Sequence, residues 1–356
     1  MFLTLLVALL SLVGLMVIHE FGHFILAKCF GTDVEEFGIG YPPRLFGKKI
    51  GGTLYSLNLI PFGAFVSIKG EKGGVEDYRS FIGKPIWQRA AIVLGGVASF
   101  WVVAAIILSI MSGVWGLPTE VSDEADGNLV NSRVKITYLA PDSPAAEAGL
   151  QVGDTILHFD RIKEVQAFVE EHKGESVVLS VERGSETIEK TMVPRISHPK
   201  DQGPLGIEMA RVALKPYPWY EAPVQGVRAT YQLTASIISN WIIGLKSLLG
   251  FAPLPEGMKM EMFGPVGILD LMREYVSLGA NNFLLLVSFI SIALALANIL
   301  PIPALDGGKL IFLGIEAVRG RPVNHRLEQR ITGAFFILLI ILMIFVTVKF
   351  DIPRLF

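Results

Sequence analysis

The sequence predicts a polytopic α-helical membrane protein with four spans and one small α+β module between the second and third. Three observations predict it. Hydrophobic residues make up 51% of the 356 and charged residues only 18%, where a soluble domain carries about a quarter. Four stretches, 2–27, 90–111, 283–300 and 331–348, approach or exceed the ~20 apolar residues that a bilayer core requires. Between the second and third, residues 133–211 change to a mixed, polar pattern of short strands and turns. The expected organisation is 1–114 for the first two spans and their loop, 130–212 for the module, 213–282 for a linker with an amphipathic helix, and 283–356 for the last two spans.

The first span has no basic residues ahead of it and no small-residue cleavage site after it, so it reads as a retained helix rather than a signal peptide. The loop between the first two spans holds Lys28, Arg44, Lys48, Lys49, Lys69, Lys72, Arg79, Lys84 and Arg89. Lys309, Arg319, Arg321, Arg326 and Arg330 lie between the last two, and residues 112–131 hold no Lys or Arg. Basic loops face the cytoplasm. Both termini and the central module are therefore expected on the outer side of the membrane. Within the first loop, 53–71 alternates in character, with Pro61 and Gly63 marking a turn.

The module begins with a strand. A short helix follows, with Pro144 in its first turn and Gly149 at its C-terminal cap. A second helix ends at Gly174, and a hairpin turns around Arg183-Gly184-Ser185. Within 216–250, the run 229–250 is apolar with Arg228 and Lys246 near its ends. A fifth span there would invert everything after it, so an amphipathic helix at the outer surface is expected. Net charge is −2, which gives no nucleic-acid footprint, and the single cysteine, Cys29, excludes an internal disulfide.

The chemistry lies in "HEFGH". His19 and His23 are four residues apart, so they share one face of a helix and both reach one metal ion. Imidazoles suit Zn²⁺. Glu20 lies beside that stripe, where a general base acting on metal-bound water would stand. A chance match, or histidines satisfied within the bundle, is the plainer alternative, but ionisable groups inside a span are expensive and mark functional sites. A catalytic zinc needs a third protein ligand. His158, His172 and His198 belong to the module and His325 to a basic loop. Asp306, in "ANILPIPALDGGKL", is expected on the same side of the membrane as His23. Pro301 and Pro303 break the helix there, and Gly307-Gly308 allow a tight turn. An ordinary Asp-Gly turn accounts for the same residues equally well on local grounds.

"HEFGHF" in a first span, with "NILPIPALDGG" at the end of a later one, resembles the site-2 protease family of intramembrane zinc metalloproteases (peptidase family M50B). "SPAAEAGLQVGDTI" resembles a bacterial PDZ domain, and a single such module looks like the regulator-of-sigma-E protease branch. The resemblance implies Zn²⁺ on His19, His23 and Asp306, with Glu20 as catalytic base. It implies that Asn298 donates to the developing oxyanion, although a helix-ending cap would use the same residue. It implies a membrane-dipping β-hairpin in the first loop, whose strand edge takes an unwound substrate. Gly63, Phe65 and Val66 there, and Pro301 beside Asp306, would be substrate contacts, while Gly206 and Ile207 in "GPLGIEM" would form the PDZ ligand loop. The chain departs from the pattern at Gly63-Ala64-Phe65, where many relatives have Gly-Gly-Tyr, and at Ala293, where many have asparagine.

The implied activity is endopeptidase cleavage within single-span membrane proteins, of the anti-sigma factor type, or of leftover signal peptides. The implied partners are those substrates, an unidentified PDZ ligand and membrane lipid, with no nucleic acid. A catalytically silent PDZ-bearing membrane scaffold is the competing class, but the intact Glu20 argues against it. A metal transporter would need polar groups that the second and fourth spans lack.

Overall fold

The computed structural model describes every residue other than 1, 72, 74–76, 126–128, 184–185, 200–201, 255–261 and 356. In chain order the elements are α1 (Phe2–Cys29), β1 (Val34–Ile50), β2 (Thr53–Ile68), α2 (Ile86–Val114), β3 (Leu117–Glu120), β4 (Val130–Leu139), α3 (Pro144–Glu147), β5 (Thr155–Ile156), α4 (Ile162–Glu171), β6 (Val177–Arg183), β7 (Glu186–Met192), β8 (Ile207–Lys215), α5 (Ala222–Leu248), α6 (Pro265–Ser277), α7 (Ala280–Ile299), α8 (Asp306–Arg319) and α9 (His325–Val346). A π-helical turn (Thr347–Asp351) and α10 (Ile352–Leu355) follow. Among the described residues, four helices are long and apolar enough to cross a membrane: Leu3–Cys29, Ile86–Val114, Ala280–Ile299 and His325–Arg354.

The chain forms two compact units. One comprises Met1–Leu108, Gly226–Ile237 and Met262–Phe356, and the other Ser109–Gln225 and Ile238–Glu261. In the first, Ala8 and Leu15 of α1 pack with Val97 and Phe100 of α2, Met272 of α6 and Leu286, Val287 and Ala295 of α7. Helices in a bilayer gain little from apolar burial alone and rely on close approach through small residues. α1 and α2 use that device. A Cβ on Gly22 would overlap the Gly95 carbonyl, and one on Gly95 would lie 2.7 Å from the Gly22 carbonyl oxygen.

β1 and β2 pair antiparallel as an isolated two-stranded sheet. The turn expected at Pro61 and Gly63 lies instead at Gly51-Gly52, flanked by the Ile50–Thr53 pair. Both glycines have positive φ, 57° and 86°, which a two-residue hairpin loop of matching twist requires. Pro61 and Gly63 fall where β2 bends. Residues 36–39 therefore have partners at 64–67 and again at 54–57, while 44–50 lies along 53–58. No further strand pairs with 64–67 among the described residues, so that segment is an open edge.

The stretch between the last two spans, read from sequence as a basic loop, contains α8. Arg89 of α2 grips Glu316 of α8 through two hydrogen bonds of 3.0 and 2.5 Å, with both side chains largely buried. The start of α6 is clamped by the turn after α9. Gly264 donates its amide to Asp351 Oδ1 at 2.9 Å, and a Cβ at Gly264 or Gly267 would crowd that carboxylate. Arg354 reaches the Met262 carbonyl at 3.0 Å. This gives "GPVG" a packing reason that its sequence does not reveal. In α5, Ile237 is buried against Ala104, Ile292 and Leu296, and Trp101 donates to Thr234 at 3.3 Å. Residues 230–237 thus pack one face of α5 against α2 and α7.

The second unit is built on a six-stranded sheet ordered β3-β8-β4-β5-β6-β7, with its neighbours antiparallel. Val134, Ile136, Leu150, Ile156, Val165, Leu179 and Val181 fill its core. α3 begins as read from sequence. Ser143 accepts from the Ala146 amide at 3.2 Å, Pro144 opens the helix, and Gly149 follows it at φ 76°. β6 and β7 form the expected hairpin; its turn residues Gly184 and Ser185 lie outside the described residues.

Candidate metal centre

α1 carries His19 and His23 on one face, one turn apart, and α8 begins at Asp306. The three meet. Asp306 Oδ2 lies 3.2 Å from His19 Nε2 and 3.4 Å from His23 Nε2, and the two imidazole nitrogens are 3.2 Å apart. All three side chains are largely buried.

This triangle fits a metal better than it fits hydrogen bonding. His23 Nδ1 lies 2.9 Å from the Ile92 carbonyl. A carbonyl only accepts, so Nδ1 carries the proton and Nε2 presents a lone pair. That is the outer-shell arrangement that orients a ligating histidine. Asp306 Oδ2 and His19 Nδ1 are buried without a hydrogen-bond partner, a costly condition unless a cation satisfies the carboxylate. Zinc bonds to N or O of ~2.0–2.1 Å in a tetrahedron place ligand atoms about 3.4 Å apart. The observed edges match, so the donor set fits zinc.

The surroundings set this geometry. His19 stacks on Phe100 with ring centroids 4.8 Å apart. Gly96 faces both imidazoles, and a Cβ there would overlap the His23 ring and come within 2.8 Å of His19 Cε1. At the other wall, Cβ atoms at Gly307 or Gly308 would strike the carbonyls of residues 299, 300 and 302. Only glycine lets the 299–305 segment fold over the start of α8. Ala304 in that segment has φ 103°, a conformation that non-glycine residues rarely hold without outside support.

A cavity of about 540 Å³ opens on the centre. His19, Glu20, His23 and Asp306 line it, together with Phe65 and Val66 of the open strand edge, Lys309 of α8 and Glu328 of α9. Among the other sequence candidates, Gly63 is buried in the bend of β2 at φ 95°, and Pro301 is exposed and does not line the cavity. Asn298 does not line it either; its Nδ2 donates to the Leu294 carbonyl one turn back at 2.9 Å. Gly206 and Ile207 line a separate groove of about 500 Å³ in the second unit, with Val165 and Val169 of α4 and Met209 of β8. Sequence reasoning missed Gly96, Lys309 and Glu71. The Gly95-Gly96 pair inside a span was the available signal for the first.

The description "Peptidase family M50" matches residues 7–342. A Clostridium perfringens protein provisionally named a zinc metalloprotease is 34% identical over 353 residues, covering 96% of this chain and 96% of that protein. Zinc metalloprotease RasP of Oceanobacillus iheyensis is 28% identical, covering 99% of this chain and all of that protein. The regulator of sigma-W protease RasP of Bacillus subtilis is 26% identical over the full length of both.

Proposed function

This chain belongs to peptidase family M50, is a zinc metalloprotease, and from that premise we propose that it cleaves peptide bonds within the transmembrane segment of single-span membrane proteins. The observation that carries this reading is the convergence of His19, His23, Asp306 and Glu20 on one cavity bordered by the unpaired edge 64–67.

His19, His23 and Asp306 would hold zinc, which supplies Lewis acidity that makes water acidic near neutral pH. Glu20 takes the proton of the attacking water and returns it to the leaving nitrogen, as a general base and then acid. A transmembrane helix must unwind first, because its carbonyls are tied to its own amides. An unwound peptide can pair with the backbone of 64–67, as in strand addition, and Phe65 and Val66 contact it where it enters the cavity. Leu45, Phe46, Leu59 and Ile60 are exposed on the hairpin, which supports its dipping into lipid. Asn298 would reach the oxyanion only after its amide leaves Leu294. Pro301 and Gly63 act by shaping the backbone on either side.

The second unit reads as a single PDZ domain (130–212), and its groove along Gly206 and Ile207 would take a peptide end. The relatives' names support a membrane-bound regulator of a sigma factor as substrate, one already trimmed outside. With the basic loops inside, both termini and the PDZ domain lie outside the cytoplasmic membrane and the metal centre lies near its inner face.

The test is cleavage of a model single-span substrate by purified protein in detergent, with zinc measured on the same sample. The expectation is one zinc per chain, turnover lost on chelation and restored by zinc. Zinc-free protein that cuts equally well would end the reading; zinc-loaded protein that binds peptide but cuts nothing would favour a scaffold.

A further inference from the structure

Peptide hydrolysis drives negative charge onto the scissile carbonyl oxygen, and a positioned donor at that oxygen contributes ~10²–10³ in rate. The amide of Asn298 is engaged with Leu294 and lies off the cavity. Lys309 is placed differently. It stands three residues after Asp306 on α8, so both side chains project from one face. It is the only lysine or arginine lining the cavity among the described residues.

Its ammonium is held. Lys309 Nζ donates to Glu71 Oε1 at 2.6 Å, and Glu71 follows the strand edge 64–68 on which a substrate would lie. Burial alone would lower the Lys309 ammonium, but Glu71 and Asp306 beside it raise it instead, with Glu20 adding to them. Glu328 and His325 of α9 line the same cavity. The lysine is thus kept charged among carboxylates, one helical turn from a metal ligand.

Resting on the protease reading above, we propose that Lys309 is a further catalytic residue, whose ammonium stabilises the oxyanion on the scissile carbonyl while Glu71 positions it. Water oxygen adds to the carbonyl carbon, its proton goes to Glu20, and the carbonyl π electrons move to the oxygen, which accepts a hydrogen bond from Lys309. On collapse the C–N bond breaks and the Glu20 proton passes to nitrogen. Lys309 keeps its proton throughout.

The experiment uses the full-length zinc-loaded protein in detergent, a model single-span substrate, and a phosphinic peptide carrying a tetrahedral anion at the scissile position. Lys309→Met is expected to lower kcat by ~10²–10³ with KM and zinc content unchanged, and to weaken phosphinic-peptide binding by the same factor. Lys309→Arg should recover part of both, and Glu71→Gln should cost about tenfold or less. Equal losses in Lys309→Met and Glu71→Gln, with phosphinic binding intact, would show a strut and overturn the proposal. So would Asn298→Ala losing that binding while Lys309→Met keeps it. Wild type failing to cleave, or Glu20→Gln cleaving as well as wild type, would instead overturn the protease reading and the proposal with it.

Discussion

The cavity beside the β2 edge encloses about 540 Å³ and the groove beside β8 about 500 Å³, and each is flanked by a strand segment with one side unpaired among the described residues. In β2 that segment is 64–67. In β8 it is 207–210, because β3 covers only Val212–Lys215. The walls differ. Val165, Val169, Leu205, Ile207 and Met209 make the groove apolar, with Glu170 and Lys173 paired to each other. The cavity has three ligand atoms 3.2–3.4 Å apart and a glutamate beside them. An open strand edge is a general way to hold an extended chain; on the proposed reading, His19, Glu20, His23 and Asp306 would make the difference between holding and cutting.

Substitutions can break that contrast from either side. The largest effect is expected from Glu20→Gln, a loss of ~10²–10⁴ in kcat with zinc content and peptide binding in the groove retained, measured by turnover and calorimetry. Undiminished turnover would mean that the two cavities differ for another reason. Gly96→Ala should follow. The added methyl displaces both imidazoles, and zinc affinity should fall ~10–100-fold, as when a ligand's supporting shell is lost; competition with a chelating dye reads this out. On the groove side, Gly206→Val forces a side chain into φ 71° against Ser143. It should cost the second unit ~1–3 kcal/mol and weaken peptide binding, while zinc binding stays unchanged. Hydrogen exchange in β4 and α3 would show it. The smallest effect is expected from Ser143→Ala, which removes the α3 cap for ~1 kcal/mol. Faster exchange at the Ala146 amide with an unaltered metal centre would confirm that the regions are separable.

His19 and His23 were legible as a pair because histidines at i and i+4 share a face by local geometry alone, and because polar groups in an apolar helix need a reason. Asp306 was half legible: an aspartate before two glycines also makes a plain turn, and what the structure adds is its 3.2 Å approach to His19. The hairpin was legible but its turn was misplaced. Pro61 and Gly63 are turn residues by type, yet the Gly51-Gly52 pair has the positive φ values that the loop needs. Gly96 had only the Gly95-Gly96 pair inside a span as its signal, since its role comes from a neighbouring helix. Lys309 looked like one more basic loop residue because nothing local reveals that Glu71, far earlier in the chain, would meet it.

The grip of Asp351 and Arg354 on residues 262–264 has a practical side. The tail of a membrane protein is the usual place to trim for crystallisation or to fuse a reporter. Here, cutting before Asp351 would remove the acceptor that receives the Gly264 amide, and α6, which packs beneath α1 and α7 at Met272, would lose its anchor. An affinity handle is better attached beyond Arg354 through a flexible spacer, leaving that clasp closed.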